Sequence, residues 1–130
     1  LIMNGKSTYT NMRSPKPDTF VGTLIVENDE ATGGTMKNWV TSVAESSGIY
    51  TVTFNTGITF PVTPVCCVTM VSTAGTAIRG YAVITQQFTN STRTLKYKLL
   101  LDDGAGNATV TAADDIFVNI ILVCPLTAGS

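Results

Sequence analysis

The residues of this chain that could carry chemistry are few and poorly spaced for it. There is no histidine, which removes every serine or cysteine nucleophile that relies on an imidazole base. Two carboxylate pairs, Asp102-Asp103 and Asp114-Asp115, are sequence neighbours. Glycoside hydrolysis needs carboxyls on opposite sides of one bond, about 5 to 9 Å apart, whereas aspartates beside Gly104 or ahead of an apolar run read as turn residues. The stretch Asp102 to Asn107, DDGAGN, has oxygen ligands that suit calcium. It lacks the alternating ligands and closing glutamate of an EF-hand loop, and a calcium ion there stays an open alternative. Gly5 to Ser7, GKS, lacks the earlier glycine and the strand that a phosphate-binding loop requires. Three cysteines, Cys66, Cys67 and Cys124, make neither a zinc site nor a disulfide framework. Adjacent cysteines on a strand point to opposite faces, so at most one of the first pair shares an environment with Cys124. All three are expected to be buried, reduced thiols. No catalytic residue, metal or cofactor is expected, and the chain reads as a non-enzyme.

Such a chain is better understood through its scaffold. It has 130 residues, enough for one domain, and 13% of them are charged against a usual quarter, so much of the surface is neutral or covered by a partner. Twenty-two threonines and thirteen valines favour a pleated, all-β architecture. A net charge of −1 with singly scattered Lys and Arg is a poor footprint for nucleic acid. No apolar run reaches the roughly 18 residues of a membrane-spanning helix, and membrane insertion is not expected. The first residue is leucine, as in a processed C-terminal piece of something longer.

Residues 1 to 46 are expected to be a linker, or the end of an upstream shaft, with one or two short strands at Thr19 to Val26 and Trp39 to Ala44. The acidic stretch ENDEATGG between them reads as a turn. Residues 47 to 130 are expected to form the sandwich. Tyr50, Val52 and Phe54 alternate with polar residues, as on a strand with one wet face. Gly57, Pro61 and Pro64 then break the ladder into a shaped corner. Strands follow at Val65 to Val71, Gly80 to Phe88, Thr94 to Leu101 and Ile116 to Val123, giving an antiparallel β-sandwich or jelly roll. In Thr94 to Leu101, Lys96 and Lys98 mark a solvent side.

Two strands, Val65 to Val71 and Ile116 to Val123, are apolar on both parities, more than one sandwich core requires. If they are neighbours, their surplus face becomes the shared core of an oligomer, and Val65, Val68, Met70, Val118, Ile120 and Leu122 are the core or interface positions. The alternative is that the N-terminal segment covers that face. Asn90-Ser91-Thr92 and Asn107-Ala108-Thr109 match the glycosylation pattern, a cheap match here, and serve as loop markers.

The run SGIYTVTFNTGITFPVTPVCCVTMVS, then GYAVITQQFTNSTRTLKYKLLL, then DDIFVNIILV, resembles the tip domain of bacteriophage tail fibres and tailspikes, which is similar in turn to the H-type lectin sandwich. The specific part is the Phe60-Pro61 corner, Pro64 and the hydrophobic strand after it. In the final strand Phe117-Val118-Asn119 stands where lectin-like members carry a tryptophan and small residues. The resemblance implies a homotrimer on a virion, outside the cell, that meets a glycan or protein of the host surface. Its contacts are expected on the loops Ser72 to Arg79, Thr89 to Arg93 and Asp102 to Ala113. Arg79, Asn90, Arg93, Asp103 and Asn107 are the hydrogen-bonding groups, with Tyr81 and Trp39 as stacking surfaces. Two alternatives share the architecture: a structural trimerisation cap, and a secreted jelly-roll module of the tumour-necrosis-factor or complement type.

Overall fold

Two antiparallel sheets pack face to face in a computed structural model that describes residues 19–72, 80–102, 107–110 and 116–125. Its elements in chain order are β1 (Thr19–Glu27), β2 (Glu30–Gly33), a 3-10 turn (Lys37–Trp39), β3 (Val40–Ser46), β4 (Ile49–Phe54), β5 (Val65–Ser72), β6 (Gly80–Thr89), β7 (Thr94–Asp102), β8 (Asn107–Val110) and β9 (Ile116–Pro125). One sheet has the order β2-β1-β9-β5 and the other β3-β4-β7-β6, with β8 also paired to β7. The all-β sandwich expected from the sequence is therefore present.

The first sheet is built around β9. Nine residues of β1 pair with it without a break, from Thr19 opposite Pro125 to Glu27 opposite Phe117. On its other edge β5 pairs from Val65 opposite Val123 to Ser72 opposite Ile116. The two strands with surplus apolar residues are thus neighbours. The expected boundary at residue 46 has no counterpart in the sheets: β1 lies inside one sheet and β3 is a full edge strand of the other. The strand expected at Thr19 to Val26 is present as β1, but its partner lies about a hundred residues later, where no local pattern points to it.

Three smaller corrections concern element limits. Trp39 ends the 3-10 turn and the strand begins at Val40. The acidic turn contains a short strand, β2, and the stretch after Asp102 contains another, β8. Both have four residues and carry too little pattern to announce themselves.

Two hairpin turns show why their sequences fold as they do. Ser47 and Gly48 both have positive φ, 52° and 84°, the mirror-image turn that matches strand twist, and the Gly48 N–H donates to Glu45 Oε2 at 2.7 Å. Between β1 and β2, Asn28 takes φ 56°, a conformation that asparagine tolerates better than most residues.

The core is the interior of this sandwich. Leu24, Val26, Val118, Ile120 and Leu122 from one sheet meet Val52, Phe54, Phe88, Leu95 and Tyr97 from the other, all at most 1% exposed. Lys96 and Lys98 point the other way on β7, as alternation requires. Met36, from the turn before β3, is also fully buried. Its place exists because β1 carries glycine there: a Cβ on Gly22 would stand 2.5 Å from Met36 Sδ and 2.7 Å from a Phe20 ring carbon. Because Met36 has no free space to retreat into, Gly22→Ala is expected to lower stability by about 1–3 kcal/mol, read as a lower urea midpoint with the far-UV spectrum unchanged. An unaltered midpoint would mean that Met36 does not seat over this strand.

Candidate functional site: an uncharged sheet face and a loop-bearing pole

Strand alternation sends every second residue of β1, β9 and β5 away from the core. The registers line these outward residues up in rows. Val21, Val123 and Val65 form one row, and Thr23, Ile121 and Cys67 the next. Ile25, Asn119 and Thr69 follow, then Glu27, Phe117 and Val71. Val21, Val65, Ile121 and Val123 are 57, 59, 45 and 40% exposed. Until Glu27 at its far end, this face carries no charge. Three strands and four rows make it about 14 Å wide and 27 Å long, on the order of 400 Å². Eight of its twelve positions are apolar, the others being Thr23, Asn119, Thr69 and Glu27, and an exposed apolar patch of a few hundred Å² is often functional.

The named core or interface positions divide between the two sides. Val118, Ile120 and Leu122 are buried in the core, Val68 and Met70 pack against it half-buried, and Val65 stands outward on the exposed face. The expectation that all three thiols are buried needs correction: Cys66 and Cys124 are buried, Cys67 is exposed. Two adjacent cysteines on one strand cannot both face inward.

The sandwich has two unlike poles. At the near pole, Thr19 and Pro125 sit side by side, so any chain before β1 or after β9 joins here. This pole is sealed by a run of aromatic rings. Trp39 stacks on Phe20 with centroids 5.3 Å apart, Phe20 meets Phe60 at 6.1 Å, Phe60 meets Phe88 edge-on at 5.2 Å, and Phe88 meets Phe54 edge-on at 5.3 Å. Two side-chain amides then hold the proline corner as a neighbouring strand would. Asn90 Oδ1 accepts from the Phe60 N–H at 2.9 Å while its Nδ2 donates to the Phe60 carbonyl at 2.8 Å. Gln87 Oε1 accepts from the Cys66 N–H at 2.8 Å and its Nε2 donates to the Cys66 carbonyl at 3.1 Å. The second amide also bridges β5 to β6 at Cys66.

The far pole gathers the other ends. Glu27, Ser46, Ile49, Ser72, Gly80, Asp102 and Ile116 all terminate elements there, as the registers require. Of the expected contact loops, Thr89 to Arg93 lies at the near pole; most of the other two lies outside the described residues, and their described ends Ser72, Gly80, Asp102 and Asn107 stand at the far pole.

The candidate contact residues separate in the same way. Trp39 is half-buried in the aromatic run, and the Asn90 amide is spent on Phe60. Arg93 is half-buried with φ 57°; its carbonyl accepts from the Phe54 N–H at 2.8 Å, and its Nε is buried without a hydrogen-bond partner. Tyr81 lies on β6 toward the far pole, 48% exposed. Asn107 opens β8 opposite Asp102. Arg79 and Asp103 lie outside the described residues, as does the middle of the DDGAGN stretch. Among the described residues no cluster of three or more metal-ligating side chains occurs, and no helix is long and apolar enough to cross a membrane.

Between the edge strands β2 and β3 the sandwich is open. A groove of about 280 Å³ there has Asp29 and Glu30 toward the far pole, Lys37 toward the near pole, and Val40 and Val43 along its side. Sequence reasoning missed this feature, because it depends on two edge strands that only the fold brings together.

Titratable groups of the core respond to burial. Burial raises the Cys66 thiol to about 11 from 9.0, against a smaller opposing effect of a backbone hydrogen bond from Phe88. Burial raises the Tyr50 phenol, with Glu45 and Asp29 adding to it, and burial beside Tyr50 raises Tyr97. The two tyrosine rings stack 5.0 Å apart, 3° from parallel. Comparisons with known proteins return nothing similar: no family model, curated protein or solved structure matches the chain.

Two outcomes are expected. Asn90→Asp removes the donor to the Phe60 carbonyl and sets a carboxylate beside it, lowering stability by about 1–3 kcal/mol; a variant as stable as the parent in urea would show that the clamp is not formed. Cys66, Tyr50 and Tyr97 hold their protons more tightly folded than unfolded. Their contribution to stability is therefore complete below the ordinary values of 9.0 and 10.0 and is lost as pH rises through the raised ones. The urea midpoint should stay level with respect to these groups up to about pH 9 and fall as pH rises toward about 11; a level or rising midpoint across that range contradicts their burial.

Proposed function

We propose that this chain is a tethered recognition module, the host-attachment tip of a bacteriophage tail fibre or tailspike, exposed on the virion and assembled as a homotrimer. The observation that carries the reading is the polarity of the sandwich. Any chain before β1 or after β9 joins at one pole, and β5, β6, β7 and β9 have their Ser72, Gly80, Asp102 and Ile116 ends at the other. A module built this way is held from one side and presents variable loops to the opposite side, where a rigid β scaffold leaves loops free to differ. The far pole then meets a glycan or protein of the host surface, with Tyr81 and the loop groups Arg79, Asp103 and Asn107 as the contacts.

Assembly rests on the uncharged face of β1, β9 and β5. Its area of about 400 Å² is half of what a standard interface takes from each partner. Two copies closing on one patch make a small contact, whereas a closed ring gives each copy two neighbours around it. A specific observation also favours the structural-cap alternative: Trp39 and Asn90, two of the candidate contact groups, are occupied in sealing the near pole.

Neighbouring isoleucines test the assembly. Light scattering should give about three times the 13.7 kDa chain mass for the parent, and Ile121→Lys should give a folded monomer. Ile120→Asp should not fold, because it buries an unpaired carboxylate at a position 0% exposed. A monomeric parent at micromolar concentration rules out the trimer. Recognition is tested separately by adsorption of the domain to host cells and competition against the parent particle. Neither effect on a susceptible host, together with an unfolded fibre on deletion of the domain, replaces the recognition module with a structural cap.

A further inference from the structure

At the far end of the core, beneath the β1–β2 turn, lies a cavity of about 10 Å³. Part of its wall is carbon, from residues such as Val26, Leu99 and Val118. Three residues of the wall carry polar side chains: Asn28, Tyr50 and Tyr97. Asn28 Oδ1 is buried and has no hydrogen-bond partner in the protein. A buried acceptor without a donor costs about 1–3 kcal/mol, and such groups in folded proteins nearly always find a partner. The turn holds Asn28 in the left-handed region, φ 56°.

We infer that this cavity is an internal hydration site, in which one water molecule donates to Asn28 Oδ1 and bonds to the hydroxyl of Tyr50 or Tyr97. The space is at the lower bound of what one water needs, and Asn28, whose Oδ1 is unpaired, stands in its wall with two tyrosines. An apolar guest of any size is excluded by the volume, and a bare anion by the unpaired acceptor. The water ties the β1–β2 turn to the stacked tyrosines across the two sheets, so the far pole is anchored to both sheets at this point. No part of this inference depends on the proposed recognition role.

Two measurements on the full chain test it. A crystal structure should show one solvent peak within about 3.2 Å of Asn28 Oδ1 and of a tyrosine hydroxyl. Water-oxygen magnetic relaxation dispersion should count one fewer long-lived water in Asn28→Gly than in the parent. Glycine accepts the turn's φ, so that variant keeps the fold while losing the acceptor. Asn28→Asp retains an oxygen acceptor and should retain the water, which keeps the test informative if the glycine variant is poorly folded. An empty cavity, an Asn28 amide bonded to a protein group, or an unchanged water count in Asn28→Gly overturns the assignment.

Discussion

The nine-residue pairing of β1 with β9 is the constraint on which the rest of the structure depends. Side chains alternate along both strands, so one register decides that Leu24, Val26, Val118, Ile120 and Leu122 face the core and that Val21, Ile121 and Val123 do not. A slip by one residue would exchange the two sets. The same pairing sets Thr19 beside Pro125 and so fixes the pole at which any further chain joins. It also supplies the central strand along which β5 lies, which brings Val65 and Cys67 into the outward rows.

Against that frame the treatment of the other surfaces is informative. The edge of β5 is engaged at Cys66 by the Gln87 amide. β3 carries a register irregularity between Val40 and Ser42, and a half-buried glutamate, Glu45, near its end. Bulges, inward charges and covered edges are the devices by which sheet proteins avoid pairing edge to edge. The outer face of β1, β9 and β5 has no such protection. Its one charged row, at Glu27, lies at the far end, while its most exposed valines, Val21 and Val65, stand in one row near the joined pole. Assembly through this face would therefore draw copies together close to their attachment point and leave the loop-bearing poles side by side.

Much of this was legible in the sequence where the pattern is local. β4 and β7 were readable because one face is wet, so Tyr50, Val52, Leu95 and Tyr97 alternate with Thr51, Thr53, Lys96 and Lys98. β5 and β9 stood out as apolar on both parities, and that surplus is the exposed face. What escaped was nonlocal. β1 was legible as a strand but not as part of the sandwich, because its partner lies about a hundred residues away. β2 and β8, four residues each, are held by neighbours rather than by their own periodicity. Trp39 and Asn90 have side chains suited to a ligand, and only the fold shows that Phe20 and the Phe60 backbone already occupy them. The thiols repeat the lesson at the smallest scale: one residue separates a buried Cys66 from an exposed Cys67.

That pair offers the most direct measurement of the central claim, that one face of the β1-β9-β5 sheet is core and the other is the contact between copies. Thiol labelling under native conditions, resolved by residue, compares the parent with Ile121→Lys. The expected result is that Cys66 and Cys124 resist labelling in both, while Cys67 is slow in the parent and fast in the variant. Equal, rapid labelling of Cys67 in both would show that no copy covers the face, and labelling of Cys66 ahead of Cys67 would show that the register, and with it the assignment of the two faces, is wrong.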